Sequence, residues 1–164
     1  DVYHIGTLCK IERKVRRDSS GTIKLTVRGA KRVELTNFEL HQGSLYSTVK
    51  IIEDEFGDRN EEVALVRKAT SYFEQAKRSM PNMPLDSINR LTSGVSASVL
   101  ADTIAQYLPI DLKQKQKILE TFNINERLLQ VISSIESEKV IGEIEETINR
   151  KVRESIDENQ REYY

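Results

Sequence analysis

The sequence predicts an α+β protein in which an antiparallel β meander is followed by a small helical bundle and a long C-terminal helix. In the first fifty residues, apolar side chains such as Ile23, Leu25 and Val27 alternate with polar ones, which is the period of a β-strand. After Gly57 the apolar residues fall at helical spacing. From residue 125 to residue 164 this helical pattern continues without a turn signal, for longer than an ordinary globular helix.

The strand region is expected to begin with a hairpin. Asp18-Ser19-Ser20-Gly21 supplies turn chemistry between two apolar-polar alternating segments at residues 5–15 and 22–28. The remaining predicted elements are a turn at Gly29-Ala30-Lys31, a strand at residues 33–35, a loop at Gln42-Gly43-Ser44 and a strand at residues 45–52.

The helical region is expected to contain several short helices. Asn60 is predicted to cap the first, with Glu61 and Glu62 in the first turn, where the helix dipole favours acids. Met80-Pro81-Asn82-Met83-Pro84 breaks that helix. The later helices are predicted around residues 85–91, between Ser96 and Pro109, and after Asp111.

These patterns divide the chain into three predicted parts: a partial β-domain at residues 1–57, a helical bundle at 58–124 and a projecting helix at 125–164. Beyond Gly142 the apolar stripe of the last helix narrows and charged residues become frequent. The chain begins at Asp1 rather than at a methionine and finishes inside a helical pattern. It is therefore expected to be a piece of a longer protein.

The composition limits the function classes. With 38% hydrophobic and 31% charged residues, the chain is typical of a folded soluble protein. No apolar run approaches the ~20 residues that span a bilayer, and no signal peptide opens the chain, so no membrane partner is expected. Because Cys9 is the single cysteine, no internal disulfide can form, and a cytoplasmic location is expected.

The sequence predicts no catalytic, cofactor-binding or metal-binding residue. Nothing fits the phosphate loop G-x-x-x-x-G-K-[ST] or the nucleophile elbow G-x-S-x-G. His4 and His41 are the only histidines, and with Cys9 they lack the spacing of zinc ligands. Cys9 lies in a strand pattern and is expected to be a small buried core residue rather than a nucleophile.

A basic run is the one charge feature of the strand region that invites a functional interpretation. Its members are Lys10, Arg13, Lys14, Arg16 and Arg17. Residues 1–50 carry ten Lys and Arg against five Asp and Glu, which keeps a nucleic-acid-binding hairpin open as an interpretation. The favoured alternative is a solvated hairpin edge that blocks edge-to-edge aggregation, because no aromatic side chains are interleaved for base stacking.

A second candidate surface is apolar. Met80, Met83 and Leu85, next to Pro81 and Pro84, are predicted to form an adaptable contact for substrate proteins, because flexible thioether side chains repack easily. The favoured alternative is that they cap the core of the helical bundle. Tyr163 and Tyr164 are a further predicted substrate contact, with packing against a following module as the alternative.

Several segments occur in an order that characterises a known family. They are Leu100-Ala101-Asp102-Thr103-Ile104-Ala105 with Leu108-Pro109, then Lys115-Gln116, Leu119-Glu120, Asn125-Glu126-Arg127-Leu128, the stretch with Ser134, Glu136, Ser137 and Glu138, and finally Asn159-Gln160-Arg161-Glu162-Tyr163-Tyr164. They resemble the "LADxIA…LP", "KQ…LE…(N/K)ERL", long-helix and "QREYY" segments of bacterial Lon proteases. Upstream, Ile5-Gly6-Thr7 and residues 21–29 resemble the "VGT" and "DGTVKVLVEG" strands of that family.

The resemblance covers nearly the whole chain, with departures. Arg28 stands where the family usually has an acidic residue, and residues 80–84 differ from the commoner "KIPPE" wording. The opening strands of the family, around a "PLRD…FP" segment, are missing, so the β-domain is expected to be incomplete.

The resemblance implies that the strands are part of a PUA-like Lon N-terminal β-domain. It implies a parent protein that is a hexameric AAA+ ATP-dependent serine protease, using ATP and Mg, which degrades misfolded, damaged and short-lived regulatory proteins in the cytoplasm as part of quality control and the stress response. The Walker loop and the Ser–Lys dyad of such a protein would follow Tyr164. The role implied for this chain is substrate recognition and assembly, without ATPase or peptidase turnover of its own.

Two other functions stay open on the residues alone. The basic run leaves a nucleic-acid-binding β-domain, with DNA binding by the parent protein, as one alternative. The long helix leaves a structural oligomerisation segment as another.

Overall fold

The structure, a computed structural model, describes residues 2–80 and 82–163, without the side chains of residues 14–16, 79, 162 and 163. It confirms the α+β class. The elements are β1 (Ile5–Arg17), β2 (Ile23–His41), β3 (Ser44–Ile51), α1 (Arg59–Ala76), a 3-10 turn (Lys77–Ser79), α2 (Leu85–Thr92), α3 (Ala97–Tyr107), α4 (Leu112–Leu119) and α5 (Ile124–Tyr163). The chain divides into two compact units, here called the sheet unit (Asp1–Glu55) and the helical unit (Phe56–Tyr164).

The sheet unit is the predicted antiparallel meander, with strand order β1-β2-β3. Asp18 organises the turn between β1 and β2. Its Oδ1 accepts hydrogen bonds from the Ser20 hydroxyl at 2.6 Å and from the backbone N–H groups of Ser20 and Thr22 at 2.9 Å each. The Ser20 hydroxyl and the Thr22 amide stabilise the ionised carboxyl and lower the pKa of Asp18. Gly21 completes the turn at a φ of 83°, where a residue without Cβ has no steric cost.

The predicted turn at Gly29-Ala30-Lys31 is wrong, because β2 runs through it. Leu8 pairs with Lys31 and Cys9 pairs with Gly29, so Ala30 is an extra residue in the ladder and forms a β-bulge. Gly29 permits the close approach of β1, because a Cβ there would lie 3.2 Å from Thr7 Cγ2.

The loop predicted at Gln42-Gly43-Ser44 is confirmed as the turn between β2 and β3. His41 pairs with Ser44, and Gln42 and Gly43 have φ values of 51° and 82°. Two successive positive φ values are the signature of a type I′ hairpin turn, whose twist matches that of the flanking strands.

The helical unit has a continuous apolar core. α1 supplies Leu65, Ala69 and Phe73 to it. The other buried apolar side chains are Met80, Met83, Leu91, Ala97, Leu100, Ala101, Ile104, Ala105, Leu108, Ile118, Ile124, Leu128, Val131, Ile132 and Ile135. The first three turns of α5 are therefore part of the bundle, and the contacts do not separate a projecting helix at residue 125.

Two of the three predicted helix caps are confirmed and one is wrong. Ser96 caps α3 and Asp111 caps α4, as predicted. The cap of α1 is Asp58 rather than Asn60, since Asp58 Oδ1 accepts a hydrogen bond from the Glu61 amide at 2.8 Å. Glu61 and Glu62 still lie in the first turn, where they complement the helix dipole.

Candidate functional site

The basic run lies on β1 at the surface. Lys10, Arg13 and Arg17 are exposed, whereas the side chains of Lys14 and Arg16 lie outside the described residues. The register places Lys10 opposite Arg28. Arg28 Nε is 2.7 Å from Glu12 Oε1, so part of the positive charge is neutralised within the hairpin.

Apolar side chains line the same strands and are largely uncovered. Among the described residues of the sheet unit, Val33 is the only buried hydrophobic side chain, at 2% exposure. The exposed aliphatic side chains on the strands are Leu8, Ile11, Ile23, Leu25, Val27, Leu40, Leu45, Val49 and Ile51. Contiguous exposed apolar patches occur at interaction sites, so these side chains are the candidate surface of the sheet unit.

The bulge at Ala30 divides these apolar residues between the two faces of the sheet. Val33 pairs with Gly6, whereas Val27 pairs with Ile11, five residues further along β1. Directly paired residues share a face, and successive residues alternate. The row containing Val27 and Ile11 therefore faces opposite to the row containing Val33. The sequence predicts the alternation but not this change of face.

Cys9 is exposed, so the prediction of a buried core cysteine is wrong. Cys9 lies two residues before Ile11 on β1 and therefore on the same face of the sheet as Ile11. In the described ranges, no three His, Cys, Asp or Glu side chains come together as a metal-binding group.

The prediction of an apolar contact surface around the connector before α2 is wrong for Met80 and Met83. Met80 is 3% exposed and Met83 is 7% exposed, and both belong to the core of the helical unit. The chain turns here through hydrogen bonds from the Met80 amide to the Lys77 carbonyl and from the Met83 amide to the Met80 carbonyl. The two thioether side chains pack into the core of the helical unit. Of the three predicted contact residues, Leu85 alone is exposed, at 70%.

A buried polar cluster at the base of α5, which sequence reasoning missed, positions this helix. Arg127 is fully buried, and its Nε donates to the Thr121 carbonyl at 2.8 Å. Its Nη1 donates to Ser98 Oγ at 3.1 Å and lies 3.6 Å from Asp102 Oδ1. One side chain thus ties together α3, the loop before α5, and α5 itself.

A second polar contact fixes the start of α1 beside the start of α5. Asn125 Nδ2 donates to the Asp58 carbonyl at 3.1 Å. Gly57 leaves room for this contact, because a Cβ there would lie 2.8 Å from Asn125 Nδ2. Further along, Tyr72 on α1 meets Glu136 on α5, so the two helices run in the same direction.

The contact between Tyr72 and Glu136 predicts a dependence of stability on pH. The Tyr72 hydroxyl donates to Glu136 Oε1 at 2.9 Å, and this hydrogen bond raises the pKa of Tyr72 above its ordinary value. Because the folded-state pKa is raised, the contribution is complete below the ordinary tyrosine pKa of about 10 and is lost as the pH rises through the folded value. We expect the thermal midpoint of the unchanged chain to fall more steeply above about pH 10 than that of Tyr72→Phe. Parallel pH profiles for the two proteins would contradict this.

Tyr163 and Tyr164 cannot be placed in a site: the side chain of Tyr163 and the whole of Tyr164 lie outside the described residues. Among the helices that the structure describes, none has the length and apolar content needed to cross a membrane.

An antiparallel meander followed by a helical bundle that ends in a long helix is the architecture of an N-terminal Lon-type domain. The chain is similar to the solved N-terminal domain of Mycobacterium avium complex Lon protease, with a TM-score of 0.67 and 23% identity, over 81% of this chain and 70% of that one. At that identity the likeness shows the fold alone.

Residues 1–137 match the family model of the ATP-dependent protease La (LON) substrate-binding domain. The chain belongs to this family. It is 30% identical to Lon protease 1 of Bacillus subtilis and 32% identical to Lon protease of Buchnera aphidicola (subsp. Schizaphis graminum), in each case over 100% of this chain. It spans 21% of the length of each of these two relatives.

Proposed function

We propose that this chain is the substrate-recognition and assembly region of an ATP-dependent serine protease that degrades misfolded, damaged and short-lived regulatory proteins. The observation that carries the proposal is the match of residues 1–137 to a substrate-binding domain family. The parent protein is proposed to be a cytoplasmic hexamer that binds ATP and Mg outside this chain.

The uncovered apolar side chains of the sheet unit support this role. A protease that handles many sequences must hold each by contacts that do not depend on a particular side chain, and apolar burial is non-directional. Ile11 and Val27 are neighbours across the ladder and are 61% and 46% exposed. They are proposed to contact unfolded clients, together with Leu85 and the tyrosines at positions 163 and 164.

Titration of a labelled, permanently unfolded protein tests the proposal. Ile11→Ser combined with Val27→Ser is expected to weaken client binding by about 1–3 kcal/mol, the scale of losing one or two buried apolar side chains. Leu112→Ser is the matched control, because Leu112 is 72% exposed on the helical unit and outside the proposed surface. Circular dichroism checks that each variant is folded. Equal affinities for the double variant and the unchanged chain would exclude this surface.

A second candidate function is nucleic-acid binding, which the exposure of Lys10, Arg13 and Arg17 favours. The salt dependence separates the two functions. Binding through phosphate contacts weakens steeply as salt is raised because counterions are released, whereas apolar capture of a client does not. A steep loss of duplex DNA affinity with salt, and its reduction by Arg13→Gln, would support the second function.

A further inference from the structure

β3 is an outer strand of the sheet, so part of its backbone points away from β2. The Ile52 amide donates to the Arg32 carbonyl at 2.9 Å, which means that residue 52 faces β2. Along an antiparallel strand, residues whose N–H and C=O groups face the partner alternate with residues whose groups face away. The residues of β3 that face away are therefore Leu45, Ser47, Val49 and Ile51. Among the strands that the structure describes, none lies beyond them.

The side chains of these outward residues lie on the face of the sheet that carries Val33. Ile51 pairs with Val33 and Val49 pairs with Leu35, and directly paired residues share a face. Leu45 follows on the same face at the strand period of two. Leu45, Val49 and Ile51 are all exposed. A strand added beside β3 would bury these three side chains and also pair with the outward backbone groups.

The two outer strands of the sheet differ in their protection against strand addition. β1 carries exposed charges of both signs, among them Lys10, Glu12 and Arg13, and its pairing with β2 is shifted twice by an extra residue of β1. Charged side chains and bulges prevent pairing at a sheet edge. β3 has a single charged residue, Lys50, which pairs with Glu34, and the irregularity opposite β3 is an extra residue of β2. β3 is therefore the unprotected edge.

We propose that β3 binds an extended segment of an unfolded client by strand addition, with the client strand antiparallel to β3. Main-chain hydrogen bonds supply the affinity, and they do not depend on the side chains of the client. Alternate side chains of the client meet Leu45, Val49 and Ile51, so the preferred segment is uncharged and rich in β-branched residues. The segment contains no proline, because proline cannot donate to the ladder. It is about seven residues long, the length of β3 that carries the outward groups.

Strand addition rests on the proposed client-binding function and names the form in which a client binds. It uses a different face from Ile11 and Val27, whose row lies opposite to the row of Val33. If the labelled unfolded protein does not bind the chain, the proposed function fails. If that protein binds while peptide binding does not depend on backbone amides, strand addition alone fails.

N-methylated peptides test whether the backbone of the client is recognised. The probe is a fluorescent eight-residue peptide in which valine and threonine alternate, titrated against the full 164-residue chain. When the valines lie opposite the outward residues of β3, their amides donate to β3 and the threonine amides point away. Methyl groups on the valine amides are expected to raise the Kd by about 10-fold or more, and methyl groups on the threonine amides, the matched control, by less than about 3-fold. Equal affinities for the two methylated peptides would overturn the proposal.

Val49→Pro tests the same edge on the protein. Proline removes the outward N–H of residue 49 and leaves the hydrogen bonds to β2 in place, which is the position in which an edge strand accepts proline. The Kd of the unmethylated peptide is expected to rise by about 10-fold or more, whereas Val49→Ala, which keeps the amide, is expected to raise it by about 3-fold at most. Circular dichroism checks the fold, and the methylated peptides decide the question if Val49→Pro does not fold.

Two results with Val49→Pro would overturn the proposal. The first is a folded variant that binds the peptide as tightly as the unchanged chain does. The second concerns the competing occupant of the edge, a second copy of the chain paired through β3. Sedimentation would detect it as a dimer of the unchanged chain that Val49→Pro dissociates.

Discussion

Replacing Arg127 with alanine is expected to lower the free energy of unfolding of the helical unit by about 3–5 kcal/mol. The side chain is fully buried and donates to the Thr121 carbonyl and the Ser98 hydroxyl. Truncation removes these hydrogen bonds together with the contact to Asp102, and opens a cavity where α3 meets α5. Removing one partner from a buried, hydrogen-bonded ionic cluster costs about 3–5 kcal/mol, which is the scale of the expected loss.

Urea unfolding followed by circular dichroism measures the effect, and two further variants separate its causes. Arg127→Met fills much of the same volume without a charge, and is expected to recover part of the loss because burying an ion is itself costly. Asp102→Asn removes the negative partner, whose side chain is 43% exposed, and is expected to cost less than Arg127→Ala. An Arg127→Ala protein within about 1 kcal/mol of the unchanged chain would show that the cluster does not hold the bundle together.

The role of Arg127 could have been found from the sequence by its spacing alone. It lies three residues after Ile124 and four before Val131, and both of these side chains are buried. That spacing places it on the inward stripe of α5. Because arginine is mostly exposed in proteins, the residue type gives no sign of this burial and only the helical spacing does.

Sequence reasoning predicted those parts of the strand region in which local chemistry determines the structure. Asp18 and Gly21 define the first turn through hydrogen bonding and a positive φ, and Gly43 defines the second turn in the same way. At Ala30 the same reasoning failed, because a bulge depends on the pairing of β2 with β1 rather than on the composition of three residues. The extra residue places Val27 and Ile11 on the opposite face of the sheet from Val33, and no local signal carries that information.

The same distinction, between what local chemistry determines and what tertiary packing determines, applies to the candidate surfaces. Exposure of the basic run follows from charge alone, and its described members are exposed. The uncovered state of Val27 and Ile11 depends on what packs against the sheet, and an alternating pattern predicts an inward face without saying what covers it. Proline and methionine at a connector likewise do not reveal whether the side chains point outward or into the bundle.

Replacing Met80 and Met83 together with serine is expected to lower the free energy of unfolding of the helical unit by about 4 kcal/mol or more, because truncating a buried methionine costs about 2–5 kcal/mol. Serine adds a buried hydroxyl to the cavity that it leaves. The two residues lie three positions apart in one connector and belong to the same core, so their effects need not add. Thermal and urea unfolding measure the loss. Packing against the core of the bundle was one of the two interpretations that the sequence left open for these residues, and the burial of both side chains agrees with it.

Leu85→Ser is the matched control, since Leu85 directly follows this connector as the first residue of α2 but is 70% exposed. It is expected to change the free energy of unfolding by no more than about 0.5 kcal/mol, so its effect on client affinity can be measured on a folded protein. Weaker client binding by Leu85→Ser would place a client contact at the start of α2. A Met80→Ser and Met83→Ser protein that unfolds at the same urea concentration as the unchanged chain would mean that these side chains are not part of the core, and the adaptable-surface interpretation would then apply to all three residues.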